Sequence, residues 1–236
     1  MAAFNPVSEE MLRWTLSKRL SHEPVSSFPI PAPSTPGPTA RESIRERARA
    51  YRDLLATLRV QPRGRSFQGA GVYAIYYRGV FPAYAPITQW NTADWVRPIY
   101  VGSAEGSGVR KGTAKPAKSP VANRIRNHAR SILWAQQGNT LNIDDFSFRW
   151  LNTEVAWIRL AEIYLIRELR PLWNELVDGF GNNPPGTGRA GQQRSAWDTI
   201  HPGRYYAEAL PSGDDGRAQA LFQSIDDWFA QQQEAL

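Results

Sequence analysis

Two stretches decide the fold, GVYAIYYRGV at residues 71–80 and RPIYVGSA at residues 97–104. Both are rich in β-branched and aromatic residues, and the first begins at a pair of glycines, Gly69 and Gly71. This combination predicts two β-strands. The segment between them, FPAYAPITQWNTADWV (81–96), is too long for a tight hairpin. It forms an aromatic-rich insertion to which the sequence assigns no role.

The residues that follow predict two helices and a third strand. Ser119 at an N-cap, followed by Pro120 at the first helical position, begins a helix that runs to about residue 136. The alternating pattern of DDFSFRWLN (144–152) predicts a strand. Thr153 then caps a helix over EVAWIRLAEIYLIREL, which ends at Pro171. The fold class is therefore α/β of the α+β kind, with a small, mainly antiparallel three-stranded sheet flanked by helices.

The rest of the chain predicts additions on both sides of this unit. Amphipathic helices over residues 8–20 and 41–58 lie on either side of a proline-rich stretch, which we expect to form an extended arm. Residues 181–204 are loop-like, and a C-terminal helix follows them. The chain accordingly divides into N-terminal helices with a proline-rich arm (1–66), the α/β core (67–180), and a C-terminal loop and helix (181–236).

The composition limits the chemistry. The 236 residues include no cysteine and three histidines, His22, His128 and His201. Disulfides, thiolate zinc sites and a cysteine nucleophile are excluded, and a multi-histidine zinc site would need nearly every histidine, which favours a hard cation on a carboxylate. The first residues show no secretion signal, and no stretch approaches the roughly 18 apolar residues of a membrane span. We expect a soluble, cytoplasmic protein with no membrane partner.

The net charge of +6 is concentrated in one segment. Between residues 105 and 130 the chain carries seven basic residues against Glu105 alone, so this segment accounts for the whole net charge. A local basic segment on a neutral body is typical of a protein that binds a polyanion. A solvated basic loop explains the charge equally well, and charge alone leaves both interpretations open. The seven residues are Arg110, Lys111, Lys115, Lys118, Arg124, Arg126 and Arg130.

Glu162 lies on the apolar face of the helix predicted after Thr153. Four apolar residues share that face at helical spacing: Val155, Ile158, Leu165 and Leu169. Burying an unpaired carboxylate costs several kcal/mol, and a metal ion, a cation or a raised pKa relieves that cost. A structural ion pair with an arginine such as Arg124 fits this feature as well as a functional role does.

Four further residues have chemistry that fits a site, although each also has a structural explanation. Arg124 and His128 are four residues apart on one helix face and can both reach one phosphate. His128 also has apolar neighbours on that face, as a structural histidine would. Tyr73 and Tyr100 are central in the two predicted strands, where tyrosine is an ordinary packing residue. Asn174 follows the second helix, where a polar side chain can return to a pocket.

Taken in order along the chain, these residues form a specific set. Gly71-Val72-Tyr73 and Tyr100-Val101-Gly102 are followed by Arg124, by a histidine one turn later, by Glu162 inside the next helix, and by a PLWN segment that ends in Asn174. Over roughly residues 70 to 180 the chain resembles the GIY-YIG nuclease superfamily, with valine for each isoleucine of the signature. Many members have a tyrosine at the place of His128, and the histidine form is similar to the type II restriction endonucleases of the superfamily.

The resemblance implies a role for each site residue. Glu162 would hold one Mg²⁺ ion, with Mn²⁺ as a substitute, and Arg124 would clamp the phosphate. Tyr73 would take the proton of the attacking water, alone or together with His128, and nearby positive charge would lower the pKa of its phenol. Tyr100 and Asn174 would position the water, the phosphate or the ligands of the ion.

The resemblance also implies partners. The substrate would be double-stranded DNA with a short GC-rich palindrome of the CCGCGG type, cut by a homodimer whose genetic partner is a DNA methyltransferase. The proline-rich arm would wrap DNA or the other subunit, or serve as a tether. Six basic residues would contact phosphates: Arg110, Lys111, Lys115, Lys118, Arg126 and Arg130. Bases would be read by these residues or by Arg189, Arg194 and Arg204.

Two other functions stay open at this stage. One is a GIY-YIG nuclease of the repair or mobile-element type, which nicks structured or long asymmetric sites. The other is a DNA-binding module that kept the fold and lost catalysis. The joint presence of Tyr73, Tyr100, Arg124, Glu162 and Asn174 argues against the second alternative.

Overall fold

The computed structural model describes residues 21–24, 69–105, 120–152, 155–184 and 191–234, with the main chain alone at residues 21–24. The helices expected at 8–20 and 41–58 and the greater part of the proline-rich arm lie outside these ranges. The two expected cap residues, Ser119 and Thr153, do so as well. Five of the basic residues expected to contact DNA also fall outside: Arg110, Lys111, Lys115, Lys118 and Arg189.

Four strands form one antiparallel sheet in the order β1-β4-β2-β3. They are β1 (Ser21–Pro24), β2 (Gly71–Tyr77), β3 (Tyr100–Ala104) and β4 (Phe146–Asn152). The expected three-stranded antiparallel sheet, β2 to β4, is confirmed, and β1 extends it by pairing with β4. The prediction that the proline-rich arm is irregular is wrong for Glu23 and Pro24, which belong to β1. An edge strand accepts Pro24 because proline has no N–H to leave unpaired there.

Seven α-helices are present in the described part of the chain. They are α1 (Ala85–Trp90), α2 (Pro120–Gln137), α3 (Val155–Leu169), α4 (Leu172–Glu175), α5 (Ala196–Ile200), α6 (Tyr205–Glu208) and α7 (Arg217–Glu234). The expected helices α2, α3 and α7 are confirmed. Residues 181–204 are not all loop, because α5 lies within them and begins at Ser195, whose Oγ accepts a hydrogen bond from the Asp198 main-chain nitrogen at 3.2 Å. Within the described ranges, no helix has the length and apolar character that a membrane crossing requires.

The two faces of the sheet contact separate cores. Tyr73, Ile75 and Tyr77 of β2 face a larger core, which is closed by α2, α4, α5 and α7. The alternate β2 residues Val72, Ala74 and Tyr76 face a smaller core, which is closed by α3. This alternation follows from the two-residue period of a strand. A helix from each side therefore reaches the strands that carry the two halves of the signature. The α3 side chains in the smaller core are Ile158, Ala161 and Leu165.

The insertion between β2 and β3 is folded around a buried asparagine. The Asn91 side chain donates to the main-chain oxygens of Tyr77 (3.1 Å) and Arg97 (2.9 Å). Its Oδ1 accepts from the main-chain nitrogens of Val96 (3.0 Å) and Arg97 (2.8 Å). Trp90 of α1 packs against Phe229 of α7, with 5.5 Å between ring centroids. The insertion thus joins the C-terminal helix to the sheet.

Candidate active site at the β3 edge of the sheet

Tyr73 and Gly102 lie directly opposite each other on β2 and β3. The Tyr73 ring crosses the neighbouring strand so closely that a Cβ atom at position 102 would lie 2.4 Å from its Oη. A residue with a side chain does not fit there, which explains the glycine physically. Tyr100 lies two residues before Gly102, and its ring centroid is 6.3 Å from that of Tyr73.

Helix α2 brings a histidine and an arginine to the same place. The Nε2 atom of His128 lies 2.7 Å from the Oη of Tyr73, and both side chains are buried. The His128 ring also contacts that of Tyr100, at 5.1 Å between centroids. Arg124, one turn earlier on α2, interacts with the phenols of Tyr73 and Tyr100. The four residues expected from β2, β3 and α2 are therefore in one cluster.

Burial controls the protonation of this cluster. It raises the pKa of Tyr73 well above the ordinary value of 10.0, and the positive charge of Arg124 opposes that rise without reversing it. The expectation that nearby positive charge lowers this pKa is therefore wrong, because desolvation of the phenolate outweighs the charge. Burial also lowers the pKa of His128 well below 6.5, and Arg124 adds to that effect. At neutral pH the cluster contains a protonated phenol and a neutral imidazole.

Glu162 approaches the cluster from the other face of the sheet. Its side chain is 16% exposed, and it pairs with Arg159 at 3.2 Å rather than with Arg124. Its negative charge raises the pKa of both Tyr73 and Tyr100, so it acts on the two phenols from α3. The apolar stripe around it is narrower than expected, because Ile158 and Leu165 are buried whereas Val155 is 42% exposed.

The environment of Glu162 fits a hard divalent cation. Mg²⁺ keeps several waters and is usually held by one or two carboxylates together with substrate phosphates. The carboxylate of Glu162 is largely shielded, and its cationic partner Arg159 is 70% exposed and able to turn away. The described residues include no group of three or more histidines and carboxylates that could hold a metal ion. The donor set therefore suits an ion whose coordination is completed by water and phosphate oxygens.

Asn174 is bonded to the main chain of β3. Its Nδ2 donates to the carbonyl oxygen of Val101 at 2.9 Å, and its Oδ1 accepts from the Val101 nitrogen at 2.7 Å. Both polar ends of the side chain are thus occupied by the residue between Tyr100 and Gly102. This geometry fixes the strand that carries the second half of the signature.

Three of the basic residues expected to contact DNA are partly exposed: Arg126, Arg130 and Arg194. Arg126 and Arg130 of α2 donate to asparagines on their own helix, Asn123 (2.9 Å) and Asn127. Arg194 donates to three main-chain oxygens: Ala207 (3.1 Å), Glu208 (3.3 Å) and Leu210 (3.5 Å).

Arg204, by contrast, is 0% exposed. The expectation that Arg204 reads bases is wrong, since its guanidinium group donates to the main-chain oxygens of Gly179 and Phe180 inside the protein. For Arg194 the expectation stays a prediction.

One part of the site was missed by the sequence interpretation. Phe180 stacks on the His128 ring, with 4.5 Å between centroids and 17° between planes. The next residue, Gly181, accepts a hydrogen bond from Nη2 of Arg124 at 3.5 Å. The available signal was the pattern Gly179-Phe180-Gly181 soon after the PLWN segment, because an aromatic residue between glycines allows close approach to a neighbouring group.

An antiparallel sheet with paired tyrosines on adjacent strands, an arginine and a histidine from the next helix, and a glutamate from the following one defines a GIY-YIG nuclease. The chain also matches the model of the Eco29kI GIY-YIG domain over residues 65–229. It belongs to this family, which is one of type II restriction endonucleases. The match continues well past residue 180 and includes α5, α6 and most of α7. A comparison with curated proteins finds no match.

Proposed function

We propose that the protein is a type II restriction endonuclease that cuts both strands of double-stranded DNA at a short, GC-rich palindrome of the CCGCGG type. One Mg²⁺ ion held by Glu162 serves each active site, and Mn²⁺ substitutes for it. The observation that carries the proposal is the buried contact of 2.7 Å between Tyr73 Oη and His128 Nε2 beside Arg124, with Glu162 facing it from α3. This is a proton-transfer pair beside a phosphate-binding cation and a metal-binding carboxylate.

The contact between Tyr73 and His128 supports a proton relay. Because burial keeps the pKa of Tyr73 high, its phenol is protonated at neutral pH and cannot act as a free phenolate. The attacking water therefore gives its proton to Tyr73 Oη while the phenolic proton passes to Nε2 of His128. The lowered pKa of His128 keeps its imidazole neutral before the reaction, and the tautomer with the proton on Nδ1 leaves Nε2 free to accept. The negative charge of the bound phosphate then favours the imidazolium that forms.

Arg124 and an ion bound by Glu162 would neutralise the negative charge on the phosphate. The planar guanidinium of Arg124 is suited to two phosphate oxygens at once. A divalent ion, when bound by Glu162, neutralises charge on the phosphate and stabilises the leaving 3′ oxygen. Arg159, which pairs with Glu162 at 3.2 Å and is 70% exposed, would give up this contact when the ion is bound.

Cleavage at a fixed palindrome requires more than the catalytic cluster. Since identical half-sites are read by identical chains, we propose a homodimer with one active site for each DNA strand. The six basic residues at 110, 111, 115, 118, 126 and 130 are proposed to contact phosphates, which fix the position of the protein but carry no base information. A DNA methyltransferase is the genetic partner, because an enzyme that cuts both strands at a fixed site endangers its own host.

Digestion of plasmid DNA tests the proposal. The wild-type protein, a Glu162→Gln variant and a Glu168→Gln variant are incubated with plasmid, with and without Mg²⁺, and the fragment ends are sequenced. Glu168 lies on the same helix as Glu162 and is exposed, so its substitution controls for loss of charge on α3. We expect discrete fragments from the wild type and from Glu168→Gln in Mg²⁺, with one palindrome at every end, and none from Glu162→Gln.

Other outcomes would contradict the proposal in different ways. Nicks at structured or long asymmetric sites would indicate a nuclease of the repair or mobile-element type. A mobility shift of DNA without cleavage in any divalent ion would indicate a binding module. Cleavage that survives Glu162→Gln would refute the assignment of the metal ligand.

A further inference from the structure

Residues 179–181 contact site residues of both α2 and β3. The Phe180 ring is stacked on His128 and forms a T-shaped contact with the Tyr100 ring, at 5.1 Å between centroids. Gly181 lies so close that a Cβ atom there would be 2.8 Å from Tyr100 Oη and 3.4 Å from Arg124 Nη2. Small shifts of this segment would therefore move three site residues together.

A single buried arginine holds the 179–181 segment through its main chain. Arg204 donates from Nη1 to the Gly179 oxygen at 2.9 Å and from Nη2 to the Phe180 oxygen at 2.5 Å. Its guanidinium lies 4.1 Å over the Trp197 ring and 3.4 Å from Asp198 Oδ1. A lysine in its place has one nitrogen and cannot occupy both carbonyl oxygens in this fork geometry.

Fold stability alone does not explain this ion pair. Arg204 and Asp198 are 0% and 3% exposed, and buried pairs of this kind can often be replaced by apolar residues without loss of stability. A buried ion pair is better suited to selecting one conformation of the groups bonded to it. The geometry fixed here is that of the segment that packs on His128 and Arg124.

We propose that Arg204 is a positioning residue of the nuclease site, which acts through Gly179 and Phe180 to hold His128 and Arg124 in place for phosphate hydrolysis. The proposal rests on the proposed function for its activity readout. Arg204 does not touch the reacting atoms. Its positive charge also helps to keep the pKa of His128 low, so it acts on the histidine by charge as well as through packing.

The test compares Arg204→Lys with the control Trp228→Phe. Trp228 belongs to the same C-terminal part of the chain and donates to Glu175 at 3.0 Å, so its substitution removes a partly buried hydrogen bond outside the 179–181 segment. Single-turnover cleavage gives the rate at saturating enzyme, and titration of DNA in Ca²⁺ gives binding. We expect Arg204→Lys to lower the cleavage rate by about 10- to 100-fold with unchanged DNA binding, because misplacement of catalytic groups by an ångström has effects of that order. Trp228→Phe keeps the wild-type rate.

A second readout needs no activity. The ring current of Phe180 shifts the Cε1 proton of His128 upfield, and proton NMR of the three histidines, with a His128→Gln spectrum for assignment, measures that shift. We expect the signal to move downfield in Arg204→Lys and to stay in place in Trp228→Phe. If Arg204→Lys does not fold, the double variant Arg204→Met with Asp198→Leu removes both charges together and is expected to show the same two changes.

An unchanged rate, or an unchanged His128 signal, in a folded Arg204 variant would overturn the proposal. A loss confined to DNA binding or to thermal stability would overturn it as well. If the wild type cuts no DNA in Mg²⁺, the nuclease proposal fails, and the His128 signal still decides whether Arg204 holds the segment.

Discussion

Replacing Gly102 by alanine is the sharpest test of how the two halves of the signature fit together. An alanine Cβ would lie 2.4 Å from Tyr73 Oη and 2.7 Å from its Cζ, whereas Cβ atoms essentially never approach another heavy atom within 3.0 Å. The phenol must therefore move by at least about 0.6 Å. The Tyr73 ring is 1% exposed and Oη is 2.7 Å from His128 Nε2, so the movement strains the packing and disturbs the hydrogen bond.

Gly102→Ala should lower both the cleavage rate and the free energy of unfolding. A displacement near 1 Å in a catalytic group lowers a rate by about 100-fold, which corresponds to about 2.7 kcal/mol of transition-state stabilisation. Overpacking in a core lowers the free energy of unfolding by about 1–3 kcal/mol. Single-turnover cleavage of a duplex that carries the recognition site measures the first effect, and urea unfolding measures the second.

A matched glycine provides the control. Around Gly216, a Cβ atom would meet nothing within 4 Å, so Gly216→Ala should keep the rate and the stability of the wild type. If folded Gly102→Ala cleaves within about threefold of the wild type, the position of Tyr73 over β3 is not required for the reaction, and the proposed relay is refuted.

Three further predictions concern single side chains. Tyr73→Phe keeps the ring but removes the relay hydroxyl, so single-turnover cleavage should fall by about 10²- to 10⁴-fold while binding in Ca²⁺ is retained; an unchanged rate would exclude Tyr73 from proton transfer. Asn174→Asp removes the donor to the Val101 oxygen and should lower the free energy of unfolding in urea by about 1–3 kcal/mol, against no change if that bond is unimportant. Burial lowers the pKa of His201 from 6.5 to about 3, so between those values the unfolded chain binds a proton that the native protein does not. The stability that His201 contributes is full above pH 6.5 and decreases as the pH falls, by about 2 kcal/mol at pH 5. Between pH 8 and pH 5 the free energy of unfolding of His201→Gln should therefore fall by about 2 kcal/mol less than that of the wild type. Urea unfolding at both pH values measures this, and equal decreases would contradict the lowered pKa of His201.

The central elements could be predicted because their signals are local. The runs of β-branched and aromatic residues predicted that β2 and β3 are strands, and the alternating pattern at 144–152 predicted β4. The observed β4 begins at Phe146, after a short 3-10 turn capped by Asn142. Ser119-Pro120 marked the beginning of α2 within one residue. The ordered signature then indicated that residues distant in sequence meet, and the structure brings Tyr73, Tyr100, Arg124 and His128 together.

The remaining features depend on tertiary contacts that no local pattern reports. α5 is five residues long, and its residues Ala196, Trp197 and Ile200 are buried in the larger core, so packing rather than helix propensity stabilises it. From the sequence alone, Arg204 is expected to be a surface cation. Its observed partners, the main-chain oxygens of Gly179 and Phe180, are 25 and 24 residues away in the chain. The direction of the Tyr73 pKa could not be predicted either, because burial decides it and the sequence shows only the charges.

The last strand of the sheet on the catalytic side is closed to strand addition. The outward main-chain groups of Val101 are taken by Asn174, and the Ile99 oxygen accepts from the Trp173 nitrogen at 2.9 Å. A foreign strand would have to displace an asparagine and a helix turn to dock there. Pairing of two copies through this part of β3 would have to break these bonds first. In the proposed homodimer, the catalytic edges of the two chains would therefore stay apart as two separate surfaces.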